Sequence, residues 1–378
     1  MALAKPKIVV LDSATVGKVS RDYWNQDASL RDKARSFIMR LQYLGVFVTF
    51  TFTHISELLR HENEQIIWDR LKFLRSAPLI AWLRPCSCDW LPGGIPDLLC
   101  RELQAVAHGS ARNWQEIVNK VRPELWKTGV GSEMFLDNDK LWSIVRRKSI
   151  HQHEDEKYIA SVDRTDPSQI RNLKLSDALR LPIRPKEKRD AYIRRFTQEM
   201  KKQLDRHGDK RLDCSQEVAI DFANRVFQDI QIIDDAGGNP IQTLLRCRDV
   251  VDELVSPEMT VGECCELAVY AKHLKIFSEY LRPAIKLTMK EIPPDTLPSY
   301  VLQRKLYSIQ RKAERISGSD IGDRYVAPLI FYADAVEVDK RTCEFLNQIR
   351  RSEPKLASLM GRFFSSSDYS QIPELFDK

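Results

Sequence analysis

Acidic residues at the two ends of the chain have the type and spacing that a divalent-metal site requires. Two of them, Asp12 and Asp339, each follow a short apolar segment that is typical of a strand. The carboxyl ends of parallel strands open into the crevice where α/β sheets bind ligands, and a carboxylate early in a helix is locally stabilised. The other candidates lie in a helical segment or at a helix start, and the full candidate set is Asp12, Glu57, Asp320, Asp323 and Asp339.

Clustered carboxylates of this kind suit the hydrolysis of a phosphodiester. The reaction builds negative charge on the phosphorus oxygens, and one or two Mg²⁺ or Mn²⁺ ions stabilise that charge while they lower the pKa of an attacking water. Mg²⁺ prefers oxygen ligands and keeps several waters, so a few carboxylates suffice. Carboxylates packed together also raise one another's pKa until a cation binds. The pattern therefore favours a metal-dependent phosphodiesterase.

An alternation of strands and helices in the first eighty residues predicts the sheet that would position these acids. The strand predicted at 46–52 is nearly all apolar, as in a strand buried on both faces. The predicted elements are strand 8–11, a polar loop, helix 29–44, strand 46–52, helix 54–61 capped by Thr53, helix 64–74 and strand 79–83. This order predicts an α/β fold with a parallel sheet wrapped by helices.

The middle of the chain has few strand-like runs and many helical ones, with Pro and Gly at the joints. We predict a large α-helical insertion at 86–297, between two parts of one α/β core at 1–85 and 298–378. In the last part the pattern predicts helices at 299–316, 320–332 and 342–350 and a strand at 335–338. Both ends of the chain would then contribute to one sheet.

Four short segments around the acids carry a family resemblance. They are Leu11-Asp12, Thr53 to Leu59, Gly318 to Asp323 and Val338 to Thr342. Together they resemble the PIN-like (PilT N-terminal-like) nuclease superfamily, over about residues 1–85 and 298–352. The resemblance implies a PIN-like sheet, dependence on Mg²⁺ or Mn²⁺, and cleavage of nucleic acid, most often RNA.

The resemblance also implies which acids act as metal ligands and catalytic groups. They are Asp12, Glu57, Asp339 and either Asp320 or Asp323. Asp320 lies 19 residues before Asp339 and Asp323 lies 16 before it, and the family spacing is closer to the first. The two face the same way one helical turn apart, so both remain candidates. The long helical middle departs from a minimal PIN domain and leaves the substrate open.

Basic residues flank the acids and are candidates for contact with backbone phosphates. They are Arg304, Lys305, Arg311, Lys312, Arg315, Lys340 and Arg341. A separate basic segment, 184–211, has eleven Lys or Arg against five acids, an excess equal to the net charge of +6 for the whole chain. Contact with a polyanion and a solvated face with intrahelical ion pairs both fit such segments.

The composition predicts a soluble globular protein. Of its 378 residues, 43% are hydrophobic and 30% charged, and no apolar run approaches the roughly 18 residues that span a bilayer. The N-terminus shows no signal-peptide hydrophobic region, so we expect a cytoplasmic protein without membrane contact. Eight cysteines include no pair of Cys-x-x-Cys units, which predicts reduced thiols rather than a structural zinc.

The nuclease interpretation has alternatives. One is a non-catalytic protein that binds nucleic acid or a partner through the same fold. Another is a phosphatase-like hydrolase on a different α/β fold, although Ala14 stands where haloacid-dehalogenase-like phosphatases carry a second Asp. The expected partner is nucleic acid, with RNA favoured, and a homo-oligomer or an inhibitory protein partner is compatible. His54, one helical turn before Glu57, is a candidate phosphate contact or a packed residue.

Overall fold

The computed structural model describes residues 6–86, 91–109, 111–163, 171–178, 189–209, 211–224, 254–280, 287–312 and 318–377. The strands are β1 (Lys7–Val10), β2 (Val46–Phe50), β3 (Ile80–Leu83), β4 (Trp126–Gly129), β5 (Ala335–Glu337) and β6 (Arg362–Phe364). Within these ranges, 3-10 helices cover Pro294–Thr296, Ala327–Phe331 and Tyr369–Phe376.

The α-helices lie between these strands along the chain. Those up to residue 163 are α1 (Ser13–Tyr23), α2 (Ala28–Tyr43), α3 (Phe52–Leu59), α4 (Glu64–Ser76), α5 (Ile95–Ala107), α6 (Trp114–Leu125), α7 (Gly131–Met134) and α8 (Asp139–Asp163). The later ones are α9 (Leu175–Ala178), α10 (Arg189–His207), α11 (Val261–Tyr280), α12 (Pro298–Lys312), α13 (Gly318–Val326), α14 (Lys340–Ser352) and α15 (Pro354–Ala357). None of the helices in the described ranges has the length and apolarity that crossing a bilayer requires.

One six-stranded sheet organises the fold, in the order β4-β3-β2-β1-β5-β6. Every neighbouring pair is parallel except β3 with β4, so the predicted α/β class with a mostly parallel sheet is confirmed. From β1 the chain adds β2 and β3 on one side and later adds β5 and β6 on the other. The direction of strand addition therefore reverses between β1 and β5, and in open α/β sheets ligands bind beside the carboxyl ends of strands at such a point.

Apolar side chains explain why β1 and β2 lie at the centre of the sheet. In β1 the three residues Ile8, Val9 and Val10 are all buried. Strands covered by helices on both faces bury successive side chains rather than alternate ones. The register pairs Val9 with Val48 on one side and with Ala335 on the other, so both chain ends share one core.

A helix occupies the segment that the sequence predicted as a polar loop after the first strand. Helix α1 begins at Ser13 because Asp12 caps it, its Oδ1 accepting from the backbone N–H of Ala14 at 2.7 Å. Its buried face includes Val16 and Val19. The other residues of this segment are mostly polar, so the helical spacing of Val16 and Val19 was not recognised in the sequence. The loop prediction was wrong.

The helix that carries Glu57 begins earlier than predicted. Thr51, rather than Thr53, is the N-cap, and α3 begins at Phe52. Buried Thr51 and His54 form a reciprocal capping arrangement, in which His54 Nδ1 accepts from the Thr51 backbone N–H at 3.1 Å. The predicted helix 320–332 also divides differently, because α13 ends at Val326 and a 3-10 helix with Pro328 in its first turn follows.

The chain divides into two compact units. The first contains Met1–Glu154, Asp295–Ile309 and Gly322–Lys378, and the second contains Asp155–Pro294 and Gln310–Ile321. The sheet unit thus continues well past the predicted start of the insertion at 86. It includes β4, which the sequence did not predict because this strand is only four residues long and its side chains are partly exposed. As an antiparallel edge strand, β4 needs one partner and no buried apolar run.

A buried carboxylate helps to hold the sheet unit together. Glu102 on α5 is fully buried, and its Oε1 accepts 2.5 Å hydrogen bonds from the hydroxyls of Ser299 and Tyr332. The Ser299 backbone N–H lies 3.3 Å from both carboxylate oxygens. Burial raises the pKa of Glu102 to about 7, although these hydrogen bonds act in the opposite direction.

The raised pKa of Glu102 predicts a pH-dependent stability. The folded chain holds this proton up to about pH 7 and the unfolded chain only to about 4.5. The stability contribution is therefore complete below 4.5 and is lost as the pH rises through 7. Because of Glu102, the unfolding free energy of the wild type should fall by about 3 kcal/mol between pH 4.5 and about 7, and Glu102→Gln should abolish this fall. Urea unfolding below and above the window measures it.

The matched control for this experiment is Glu374→Gln, which changes an exposed glutamate of the same unit. The control should keep the wild-type pH dependence of the unfolding free energy. An equal pH dependence in Glu102→Gln and wild type would contradict the assigned role of the buried carboxyl.

Candidate functional site

Four carboxylates line one small cavity at the carboxyl edge of the sheet. We call it the acidic cavity, and its lining residues are Asp12, Ser13, His54, Glu57, Gly322, Asp323, Val326, Glu337 and Val338. Its volume is about 20 Å³, which is close to the space that one water molecule needs. The cavity therefore has room for a single water-sized or ion-sized particle and not for a nucleotide.

Separate elements bring these carboxylates together. Asp12 lies between β1 and α1, and Glu337 ends β5, the strand next to β1. Glu57 comes from the last turn of α3, and Asp323 from α13. The cavity thus lies beside the reversal point between β1 and β5, where the sheet topology favours a ligand site.

Glu337 is the most constrained of the four carboxylates. Its Oε2 accepts from the backbone N–H of Asp12 at 3.1 Å, and its Oε1 accepts from the Thr15 hydroxyl at 2.8 Å. The pKa of Glu337 is raised to about 7, chiefly by burial and to a smaller degree by the nearby charge of Asp12, although the two hydrogen bonds lower it. Near neutral pH this carboxyl is therefore divided between its two protonation states.

Asp12 is subject to the same electrostatic conflict. Burial raises the pKa of its carboxyl, and so does the charge of Asp339, while the hydrogen bond from the Ala14 N–H lowers it. Asp12, Glu337 and Asp339 are thus coupled by repulsion around the end of β1. A bound cation is one way to relieve such repulsion.

Glu57 enters the cavity in contact with two polar groups. Its Oε2 accepts from the Ser13 hydroxyl, and its Oε1 lies 3.5 Å from Nη2 of Arg60. On the opposite wall, a Cβ at position 322 would lie only 2.8 Å from Glu57 Oε1. Gly322 therefore gives the Glu57 carboxylate the room to occupy this position.

His54 lines the cavity as a neutral residue. Its ring is buried, and burial lowers its pKa to about 4. Because Nδ1 accepts from the Thr51 backbone N–H, the proton of the neutral ring is on Nε2. The structure therefore supports the packed role for His54, as the group that fixes the start of α3 behind Glu57.

The other predicted acids take different positions. Asp339 caps α14, and its Oδ1 accepts from the Thr342 backbone N–H at 2.5 Å. The Thr342 hydroxyl makes a long 3.5 Å contact with Asp323 Oδ2, so one residue touches both acids. Asp320 is buried in the second compact unit, where its backbone carbonyl accepts from Gln310. Of the two candidates on α13, Asp323 is the one that lines the acidic cavity.

Glu337 was not among the site residues predicted from the sequence. Those were acids directly after strands, on a helix or at a helix start, whereas Glu337 is the last residue of β5 itself. The available signal was a charged residue inside an otherwise apolar run, Ala335 to Val338. A buried charge in a central strand is costly unless it is paired or functional, so such a residue is itself a candidate.

The predicted phosphate contacts that the structure describes lie on helices α12 and α14. Arg304 pairs with Asp295 at 2.9 Å and Lys305 with Glu353 at 2.5 Å, as expected for ordinary surface ion pairs. Arg311 and Lys312 lie in the last turn of α12, and Lys340 and Arg341 in the first turn of α14. Arg315 lies outside the described residues. In the described part of 184–211, helix α10 carries intrahelical ion pairs, such as Lys201 with Asp205 at 2.7 Å.

The donor chemistry of the cavity suits a hard divalent cation, because every charged group in it is a carboxylate. The side chains as they stand are engaged with protein donors, chiefly the hydroxyls of Ser13 and Thr15. Within the described ranges, no three His, Cys, Asp or Glu residues are arranged as a ligand group. The residue types fit Mg²⁺ or Mn²⁺, and coordination would require these carboxylates to turn away from their present partners.

Comparisons with models of known protein families, with curated proteins and with solved structures find no match to this chain.

The contact between Thr15 and Glu337 yields a prediction about the site that needs no ligand. The hydroxyl of Thr15 lowers the pKa of Glu337, so Thr15→Val should raise it above about 7. Carbon-13 NMR titration of labelled glutamate carboxyls measures the change, with Glu337→Gln to assign the signal. Thr342→Val, which removes a hydroxyl of the same type that contacts Asp323 instead, is the control. An unchanged Glu337 titration in Thr15→Val would contradict the described hydrogen bond.

Proposed function

We propose that this protein is a metal-dependent nuclease that hydrolyses phosphodiester bonds. The observation that carries the proposal is the convergence of Asp12, Glu57, Asp323 and Glu337 on one ion-sized cavity beside the reversal point of a parallel sheet. The resemblance of the acidic segments to the PIN-like superfamily is a further support, and it alone favours RNA over DNA.

The four cavity carboxylates would hold one Mg²⁺ or Mn²⁺ ion. Asp339 would act on this site through its charge, which raises the pKa of Asp12. Such an ion neutralises charge on the phosphoryl oxygens and lowers the pKa of a bound water. Asp320 remains a candidate from the sequence alone.

The chain's own residues supply positioning. Thr15 and the Asp12 backbone N–H orient the Glu337 carboxylate, and Ser13 orients that of Glu57. Without a cation the Glu337 carboxyl has a pKa of about 7, and the charge of a bound cation would favour its ionised form, which is the form that acts as a ligand. His54, neutral and fixed, leaves the charge of the cavity entirely to the carboxylates.

A non-catalytic protein that binds nucleic acid or a partner is the second candidate. The specific observation that favours it is the engagement of Glu57 and Glu337 with hydroxyls of α1. If these contacts persist, the carboxylates serve to tie α1 to the sheet and to α3, and the cavity binds water rather than a metal ion.

The nuclease proposal predicts metal-dependent cutting of a labelled single-stranded RNA. Cleavage should occur with Mn²⁺ or Mg²⁺ and stop with EDTA, and the same test on DNA measures the preference between the polymers. Asp12→Asn and Glu337→Gln should each reduce the rate at least ~100-fold, since removal of even an indirect metal contact costs 10–100-fold. Calorimetric titration with Mn²⁺ measures binding separately.

The control is Glu344→Gln, an exposed glutamate on α14 that does not line the acidic cavity. It should cut at the wild-type rate. If the wild type cuts neither polymer and no Mn²⁺ binding is detected, the nuclease proposal fails. The second candidate, a non-catalytic protein that binds nucleic acid or a partner, then remains.

Gly322 provides a second test that separates activity from folding. Alanine favours a helix over glycine by about 1 kcal/mol, so Gly322→Ala should not weaken α13 through its backbone. Its Cβ would, however, displace the Glu57 carboxylate, which lies 2.8 Å away. We expect cleavage to fall at least about 10-fold with an unchanged circular dichroism spectrum.

The control for Gly322→Ala is Ser358→Ala, a small-to-alanine change at an exposed site remote from the cavity lining. It should leave the cleavage rate unchanged. Full activity in Gly322→Ala, with the variant folded, would show that the position of Glu57 does not matter to the reaction.

A further inference from the structure

A wide cleft lies next to the acidic cavity on the other side of the first turn of α1. Its volume is about 680 Å³, within the ~300–1,000 Å³ range of small-ligand sites. It is lined by Ala14, Gly17, Lys18, Ser20, Arg21 and Trp24 on and after α1, and by residues of α4 and the turn before it, among them His61, Asp69 and Arg70. We call it the α1–α4 cleft, and all of it belongs to the sheet unit.

The charges of the cleft favour an anion. Lys18, Arg21 and Arg70 line it, and the acid among its lining residues is Asp69, whose Oδ1 already accepts from the Gln65 side chain at 3.0 Å. The Nε of Arg21 also lies 3.6 Å from Oδ1 of Asp22. Burial and the nearby charge of Arg21 both lower the pKa of the Arg70 guanidinium. Two guanidinium groups that repel each other at one cleft are stabilised when a phosphate lies between them.

Two buried polar atoms at the cleft lack partners in the described part of the chain. They are Nε of Arg70 and the hydroxyl oxygen of Ser20, whose residue is 1% exposed. Arg70 is otherwise held by a 2.8 Å hydrogen bond from Nη1 to the Leu58 carbonyl. Gly17 permits this position, because a Cβ there would lie 3.2 Å from Arg70 Nη2. Unpaired donors in a buried setting are costly, and an anion in the cleft would satisfy them if these two side chains turned toward it.

An aromatic ring stands at the end of the same cleft. Trp24 is 39% exposed, and its Nε1 donates to the Asp69 carbonyl at 3.1 Å, which fixes the ring. The Nζ of Lys72 lies over one face of the ring, 4.8 Å from its centroid, so a stacked base would use the other face or take the place of Lys72. Cations that follow a groove together with an exposed aromatic ring are the two components of a single-strand nucleic-acid site, where phosphates meet the charges and a base stacks on the ring.

We propose that the α1–α4 cleft binds a single-stranded nucleic-acid segment, with a phosphate at Arg21, Arg70 and Ser20 and a base against Trp24. The proposal deepens the nuclease function and rests on it in one respect, namely that the bound segment is the substrate. Helix α1 borders both sites, since Ser13 lines the acidic cavity and Gly17, one turn of about 5.4 Å later, lines the cleft. The cavity admits an ion and the cleft admits a nucleotide.

The test is fluorescence anisotropy with a labelled five-nucleotide RNA in EDTA, which measures binding without cleavage. Arg21→Gln should weaken binding about 10-fold and reduce the salt slope by about 1, because it removes one phosphate contact. Trp24→Ala should weaken binding about 10-fold at an unchanged salt slope. With a five-unit abasic probe, Trp24→Ala should bind like the wild type, because that probe has phosphates and no bases.

The matched control is Arg112→Gln, an exposed arginine of the same unit that does not line the cleft. It should bind the probe like the wild type. The proposal would be overturned if Arg21→Gln and Trp24→Ala both bound the probe as tightly as the wild type does, or if they lost no more affinity than the control variant. A loss in Arg21→Gln alone would show a phosphate site without stacking and would overturn the nucleic-acid assignment.

The two proposals fail in different ways. If the probe binds through the cleft in EDTA but no polymer is cut with metal, the nuclease proposal fails and the cleft assignment stands. If RNA is cut by the wild type and equally well by Arg21→Gln and Trp24→Ala, the cleft assignment fails and the nuclease proposal stands.

Discussion

The burial of the Glu337 carboxylate beside Asp12 is the constraint around which the sheet unit is organised. These residues are 325 positions apart, yet the backbone N–H of one donates to the side chain of the other at 3.1 Å. A buried carboxylate needs donors, and here they come from the end of β1 and from the first turn of α1. The parallel pairing of β1 with β5 brings these donors into place, so the site exists only when the two chain ends have joined.

A second acidic residue secures the opposite end of the same strand pair. Asp334, just before β5, accepts from the Ile8 backbone N–H at 2.7 Å and from Arg122 on α6 at 2.8 Å. Strand β5 has only three residues, too few to define its register against β1 through ladder hydrogen bonds alone. Side-chain contacts at both ends make up for this short length. The register then determines which side chain of β5 faces the acidic cavity.

The sequence predicted the parts of the fold that apolar runs encode. Strands β1 and β2 were found because their residues are buried on both faces and leave an unbroken apolar signal. Helix α1 and strand β4 were missed, because a half-exposed helix rich in polar residues and a four-residue edge strand bury too little to be recognised. Asp12, Glu57 and Asp323 were predicted from their places after a strand, on a helix and at a helix start, and all three line the acidic cavity. Glu337 was missed because it is the last residue of a strand, whereas the predicted acids follow a strand or lie on helices.

The missed helix is also what joins the two sites. Asp12 has three roles at once: its side chain caps α1, its backbone N–H binds Glu337, and its carboxylate lines the acidic cavity. Because the cap fixes where α1 begins, it also fixes the direction in which Gly17, Ser20 and Arg21 are presented to the α1–α4 cleft. Helix α1, which has 11 residues, therefore borders the acidic cavity at its first residue and the cleft along its length. In a nuclease this arrangement would keep the phosphate that is bound and the phosphate that is cut at a constant separation.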